Sequence, residues 1–325
     1  MVIYSKKIEN KIIWQNFFLI FLNKFRIFLM FYKKSQLNEF EILHPRSETP
    51  TIAEETIKVC KEGFYTNKKG EKIEIKEMID QCINHTKTYK YNYKYNILKH
   101  SAQKKGEIEI SLETTNGAGY RLVVQEGIQK TVALNFANAT DPGGNWKHAQ
   151  AQEETIVRSS ALLLSITHDL EMYEYNIQDQ HDFLYSDYQI LSKDCPVFRD
   201  DQLEFLDQPF KLSFITSPAV MAIFFLKRGG KPKKIEETMK QRIKKIIYAA
   251  IEEGYDALIL GAFGCGAFGN DPKLISQLFK HYLVNKGLRY HFDKVVFPIF
   301  DTNAKKTKVE DFCNAFDIHK LTNFD

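Results

Sequence analysis

At 325 residues, 44% apolar and 26% charged, the chain can bury a full core, as one large domain or two small ones. Its net charge of +4 sits in residues 1–34, where seven cationic residues (Lys6, Lys7, Lys11, Lys24, Arg26, Lys33, Lys34) face only Glu9; that net of +6 leaves −2 for the rest and excludes a body that binds nucleic acid through a basic surface. Cys60, Cys82, Cys195, Cys265 and Cys313 form no CxxC pair and the nine histidines no HExxH motif, which argues against a disulfide scaffold or metal centre and suits a reducing compartment, cytoplasmic or nuclear.

Residues 12–34 are intensely apolar and aromatic, but Asn16, Asn23, Lys24 and Arg26 interrupt them. The longest uncharged run, 12–23, is about half of what a bilayer span needs. On a helical wheel Gln15, Asn16, Asn23 and Arg26 share one arc and Lys24 lies off it. That pattern suits a helix on a membrane surface or a protein partner, a helix docked on the chain's own core, or an upstream start with Met30 as the true one. Residues 35–50, with Pro45 and Pro50, read as a linker, so the expected division is an extension at 1–45 and a folded body at 46–325.

A helix is expected over 52–63, stopped by Gly63. A hairpin turned at Lys69-Gly70 and a second helix near 75–86 follow, and residues 46–106 form an accessory helical segment. From 107 onward strands and helices alternate: strands at 107–115, 131–139, 210–219, 256–266 and 293–301, and helices at 155–166, 234–254, 272–287 and 305–316. The Tyr-, Asp- and Gln-rich stretch 167–209 reads as long loops with short edge strands. This alternation makes an α/β sandwich with helices on both faces of the sheet.

Two glycine-rich loops follow strands and lead into helices: "PGGNWKHAQAQEE" (142–154) and "GAFGCGAFGNDP" (261–272). Ligands of open α/β sheets bind at such strand ends, and glycine backbone at a helix start favours an anion. Either loop alone reads as a tight strand-to-helix turn. Together, on neighbouring strands, they could clamp a diphosphate through backbone dipoles. Gln152, Glu153 and Glu154 sit at a helix start, where acidic residues stabilise the helix dipole. Beside a phosphate loop the same carboxylates could cleave a glycosidic bond, one of them keeping a proton near neutral pH for the leaving oxygen.

With these motifs the chain resembles the microbial-type poly(ADP-ribose) glycohydrolases, which have the macrodomain fold. The family's GGG loop, six to eight residues and QEE correspond to Gly143-Gly144-Asn145, six residues, and Gln152-Glu153-Glu154. "NFANA", "LGAFGCGAFGNDP" and "IAEETIKVCKEGFYTN" (52–67) look like further family blocks, and the similarity runs from about 46 to 320. The resemblance implies a three-layer α/β/α sandwich with a mixed sheet at 107–325, and an enzyme that releases ADP-ribose by cutting ribose–ribose bonds. Glu154 would protonate the leaving oxygen and then activate water, and Glu153 would hold ribose hydroxyls. Gln152 would support the carboxylates, and Asn138 would touch the terminal ribose. Gly143 and Gly144 would cover the diphosphate from one side, with Asn145 also in the substrate site; Gly264, Cys265, Gly266, Ala267, Phe268 and Gly269 would do so from the other, with Phe268 on the proximal ribose. No cofactor, metal or direct DNA contact is implied; the expected partners are poly(ADP-ribose) or ADP-ribosylated proteins.

Asn145 departs from the family's third glycine, and Lys147-His148 stand where smaller residues are usual. A Cβ at 145 could crowd a diphosphate or oppose a positive φ. Two alternatives therefore stand beside the glycohydrolase: a hydrolase of mono-ADP-ribose on an acceptor, and a module that binds ADP-ribose without cutting it.

Overall fold

The computed structural model describes residues 48–99, 102–178, 182–300, 307–319 and 321. The expected extension at 1–45, with its proposed surface helix at 12–34, lies outside the described residues. Among the described residues no helix is long and apolar enough to cross a membrane.

Helix α1 (Thr49–Glu62) carries Pro50 in its first turn and buries Ala53, Thr56, Val59 and Cys60 at helical spacing. Gly63 ends it at φ 78°, returning its N–H to Val59 O. A hairpin of β1 (Phe64–Thr66) and β2 (Lys72–Glu74) leads to α2 (Lys76–Asn84) and β3 (Lys87–Tyr89). The core then alternates β4 (Glu107–Ser111), α3 (Thr115–Tyr120), β5 (Thr131–Ala137), α4 (Gln152–Ser159), α5 (Leu162–Ile166), α6 (Glu171–Gln178), β6 (Gln189–Arg199), β7 (Phe205–Pro218), α7 (Ala222–Lys227), α8 (Pro232–Glu252), β8 (Ala257–Ile259), α9 (Pro272–Lys280), β9 (Lys294–Pro298) and α10 (Thr307–Phe316).

Seven strands form one mixed sheet in the order β3-β6-β7-β5-β8-β9-β4. The five from β7 to β4 run parallel; β6 is antiparallel to both neighbours. Alternate residues face opposite layers. Val132, Leu134, Leu258, Val295 and Phe297 pack with Ile243 and Ile247 of α8, Phe279 of α9 and Phe312 of α10. Ala133, Ile259, Val296 and Phe214 pack with Ile79, Leu122, Ile156 and Leu162 on the other face. This is the expected three-layer α/β/α arrangement.

Two expectations need correction. The helix expected over 155–166 is two helices, because Ser160 is extended (φ −148°, ψ 175°) and bridges to Val197 of β6, where Ala161 N–H donates to Pro196 O. Residues 167–209 hold a helix and an 11-residue strand rather than loops and short edges. The register of β6 shifts between Ser192 and Cys195 around Asp194 at φ 51°, and this bulge hides the strand's alternation. Helix α3 has no counterpart in the sequence reading; Gly117 and Gly119 lie inside it, and Gly119 lets Leu212 pack close.

Candidate active site

The parallel pairing of β5 with β8 ends at Ala133↔Ile259. Beyond it Leu260 bonds toward Val296 of β9, while β5 continues beside β7 as far as Ala137↔Pro218. The sheet opens here, where the chain leaves β5 for one side and later returns to the other, the kind of crevice that takes ligands in α/β folds. Gln152 occupies the place of the missing strand. Its Nε2 donates to Leu134 O (2.7 Å) and to Thr115 Oγ1 (3.1 Å), and its Oε1 accepts from Phe136 N (2.9 Å). Its described bonds thus reach β5 and α3 rather than the carboxylates, and it supports those by pinning the start of α4.

Glu153 is 3% exposed. Its carboxylate accepts from Asn135 Nδ2 (3.1 Å), Asn138 N (2.7 Å) and the Gly143 N–H. Burial pushes this carboxyl up to about 8, against the three donors and with help from the neighbouring Glu154 charge. Glu154 is 9% exposed, so it is the member of the pair nearer solvent; its Oε1 accepts from Asn145 N at 3.2 Å.

Burial of Glu153 has a consequence for stability. A carboxyl whose folded pKa lies above its unfolded value keeps its proton when the unfolded chain has lost it. Stability is therefore unpenalised below about 4.5 and falls as pH rises toward about 8. Glu153→Gln removes this titration. Asn135 Oδ1, buried without a partner, can accept from the new amide once the Asn135 side chain flips. The wild type minus variant stability difference, read from urea unfolding, is expected to fall by a few kcal/mol between pH 4.5 and pH 8, at about 1.4 kcal/mol per pH unit. A pH-independent difference would refute the assignment.

The first loop wraps these carboxylates. Gly143 and Gly144 have φ of 75° and 61°. A Cβ on Gly144 would stand 2.7 Å from Glu154 Oε1 and 3.3 Å from Glu153 Oε2; one on Gly143 would press on Leu163 and Val157. Gly143 N–H bonds Glu153, Gly144 N–H bonds Asp141 O and Asn145 N–H bonds Glu154. The amides expected to cover a diphosphate are thus turned to carboxylates and to the loop itself. Asn145 lies outside the positive-φ region, so its Cβ carries none of the expected strain. Asn138 Oδ1 closes a turn onto Thr140 and Asp141, while its Nδ2 makes no hydrogen bond to the described residues.

The second loop offers what the first withholds. Cys265 N–H bonds Ala262 O and Gly269 N–H bonds Gly266 O, but the successive amides of Gly266, Ala267 and Phe268 meet no acceptor among the described residues. A Cβ on Gly266 would meet nothing within 4 Å. The Cys265 side chain is buried and its thiol held well above the ordinary range by burial, so it is neither a nucleophile nor exposed to a ligand. Gly264, at φ 72°, and Gly269, at φ 69°, let the loop pass Ala219 and Ile223. Consecutive amides of this kind form an anion-binding concavity. Among the described residues no group of three or more His, Cys, Asp or Glu could hold a metal ion.

Sequence reasoning missed three residues that hold this site. Asn135, a buried amide in a strand whose only other polar residue is Thr131, carries Glu153. Arg158, one helical turn after Glu154 and 1% exposed, donates to Trp146 O and Ala149 O, both at 2.7 Å, and so clamps the first loop. Fully buried Arg242 of α8 bonds Leu184 O, Tyr185 O and Pro218 O, next to Phe183 and Tyr185 at φ 68° and 57°. A buried polar residue in a strand and an arginine four positions after the glutamate were the available signals for the first two; the strained segment left none.

The family described as microbial-type PARG, catalytic domain, matches residues 53–200. The crystal structure of poly(ADP-ribose) glycohydrolase from Thermomonospora curvata is 33% identical, with 83% of this chain and 100% of that one covered and a TM-score of 0.77. The same protein bound to the inhibitor ADP-HPD matches at 33% identity, 82% and 99% coverage and a TM-score of 0.75. The poly(ADP-ribose) glycohydrolase of Deinococcus radiodurans in complex with ADP-ribose is 28% identical, with 74% and 96% coverage and a TM-score of 0.67. No curated protein matches.

Proposed function

The chain belongs to the microbial-type poly(ADP-ribose) glycohydrolase family, and from that premise we propose that it hydrolyses the ribose–ribose O-glycosidic bonds of poly(ADP-ribose) and releases ADP-ribose. The observation that carries this reading is the adjacent pair Glu153 and Glu154 closed around the α-carbon of Gly144 at the sheet crevice. The relatives crystallised with ADP-ribose and ADP-HPD support the ligand class.

The diphosphate of the terminal unit rests on the free amides of Gly266, Ala267 and Phe268. Its distal ribose reaches the carboxylate pair, with Glu153 and Asn138 Nδ2 on its hydroxyls. Glu154 gives its proton to the leaving ribose oxygen as the C1–O bond breaks and the ring takes up oxocarbenium character. The Glu154 carboxylate then takes a proton from the water that attacks C1, which restores the acid. Burial raises the Glu153 carboxyl and the adjacent Glu154 charge adds to that rise, so a second negative charge at the pair is opposed and a proton is at hand there for Glu154 to deliver. A bound diphosphate strengthens that opposition.

Incubation of the purified protein with poly(ADP-ribose), and separately with a mono-ADP-ribosylated protein, tests the reading through the ADP-ribose released. Release from the polymer is expected. Release from the mono-modified protein alone would make the chain a mono-ADP-ribosyl hydrolase. ADP-ribose binding with no release from either would make it a binding module.

A further inference from the structure

A groove of about 410 Å³ runs between α1 and the first loop, lined by Ile57, Trp146, three lysines (Lys58, Lys61, Lys147) and two glutamates (Glu54, Glu62). It adjoins the loop segment that holds the acid: Asn145 N–H bonds Glu154, and Trp146 is the next residue. Its volume is in the range of small-molecule sites. Trp146 supplies a partly buried aromatic surface with the Lys147 ammonium 5.3 Å from the ring centre. The buried Arg158 fixes this residue in place through the Trp146 carbonyl.

The groove's charges are available. Lys58 meets Glu62 only at 3.9 Å and Lys147 meets Glu54 only at 4.0 Å, and both pairs are well exposed. Such pairs are weak and exchange readily for another anion. Lys61 makes no ion pair among the described residues. An aromatic face combined with exposed, weakly paired lysines is the chemistry that binds a base next to a phosphate backbone.

We propose that this groove is a leaving-side subsite, which takes the adenine and diphosphate of the polymer unit next to the scissile bond. The inference rests on the glycohydrolase reading and deepens it. Glu154 must face the oxygen of the departing unit, and the first loop lies directly against Glu154. A chain leaving across that loop meets Trp146 first and the lysines of α1 beyond it. The subsite makes polymer the preferred substrate over a mono-ADP-ribosylated acceptor, and it draws that preference from Trp146 and Lys147 in the loop.

The test compares Lys61→Glu, Lys147→Glu and their combination with the wild type on length-fractionated poly(ADP-ribose), with ADP-ribose affinity measured by calorimetry. The double charge reversal is expected to raise KM for polymer roughly tenfold while kcat and the Kd for ADP-ribose stay unchanged. Trp146→Ala should act in the same direction and Trp146→Phe should largely restore the wild-type KM, which separates stacking from loop collapse. An unchanged polymer KM in the double variant overturns the subsite. So does an equal loss of ADP-ribose affinity, which would put these charges on the terminal unit. Failure of the wild type to release ADP-ribose from polymer would instead overturn the glycohydrolase reading itself.

Discussion

Replacement of Glu154 by glutamine will lower kcat for ADP-ribose release from poly(ADP-ribose) by about 10²–10⁴-fold, the usual contribution of a general acid–base group. The substitution is isosteric. Its Oε1 can still accept the Asn145 N–H, so the first loop keeps its anchor and the fold its stability. ADP-ribose binding is expected to persist, because the proposed diphosphate site is the amides of the second loop and not the side chain at position 154. Only the transferable proton is lost. A fall in kcat of less than tenfold would move the acid's role to another group, with the protonated Glu153 as the first candidate.

Gly144→Ala will produce the second large effect, in both activity and stability. Its φ of 61° costs an L-residue about 1–2 kcal/mol. The new methyl would also stand 2.7 Å from Glu154 Oε1, well inside contact distance. Either the carboxylate or the loop must move, and the loop carries the N–H donors of both glutamates. Misplacing a catalytic group by an ångström can cost about 10²-fold, so kcat is expected to fall by about that factor while the melting temperature drops. Asn145→Gly is the matched control. Asn145 lies outside the positive-φ region, and its role is carried by a backbone N–H that glycine retains. Activity within a few-fold of wild type is expected there. If Asn145→Gly instead raised activity strongly, the side chain rather than the backbone would be the relevant departure from the family's glycine.

The parts of the site that the sequence displays are those carried by local pattern. Two glycine loops after buried strands and a Gln-Glu-Glu triplet at a helix start are all visible in a linear reading, and the structure sets them around one crevice. The division of labour between the loops is not visible there. Glycines in the first loop serve the close approach of Gly144 to two carboxylates, and only the folded backbone shows that its amides point inward. Gln152 likewise looks like a neighbour of the carboxylates, yet its described bonds replace a missing strand beside β5. Strand β6 escaped detection because Asp194 bulges it and flips its alternation midway. The strained segment near Tyr185 depends on Arg242, more than fifty residues away along the chain, and no local signal links them.

The most direct test of this account is a crystal structure of the Glu154→Gln protein with ADP-ribose bound. The diphosphate is expected within hydrogen-bond reach of the amides of Gly266, Ala267 and Phe268, and the C1 carbon of the distal ribose facing the side chain at position 154. A diphosphate seated on the amides of Gly143 and Gly144, or a ribose turned away from position 154, would contradict it.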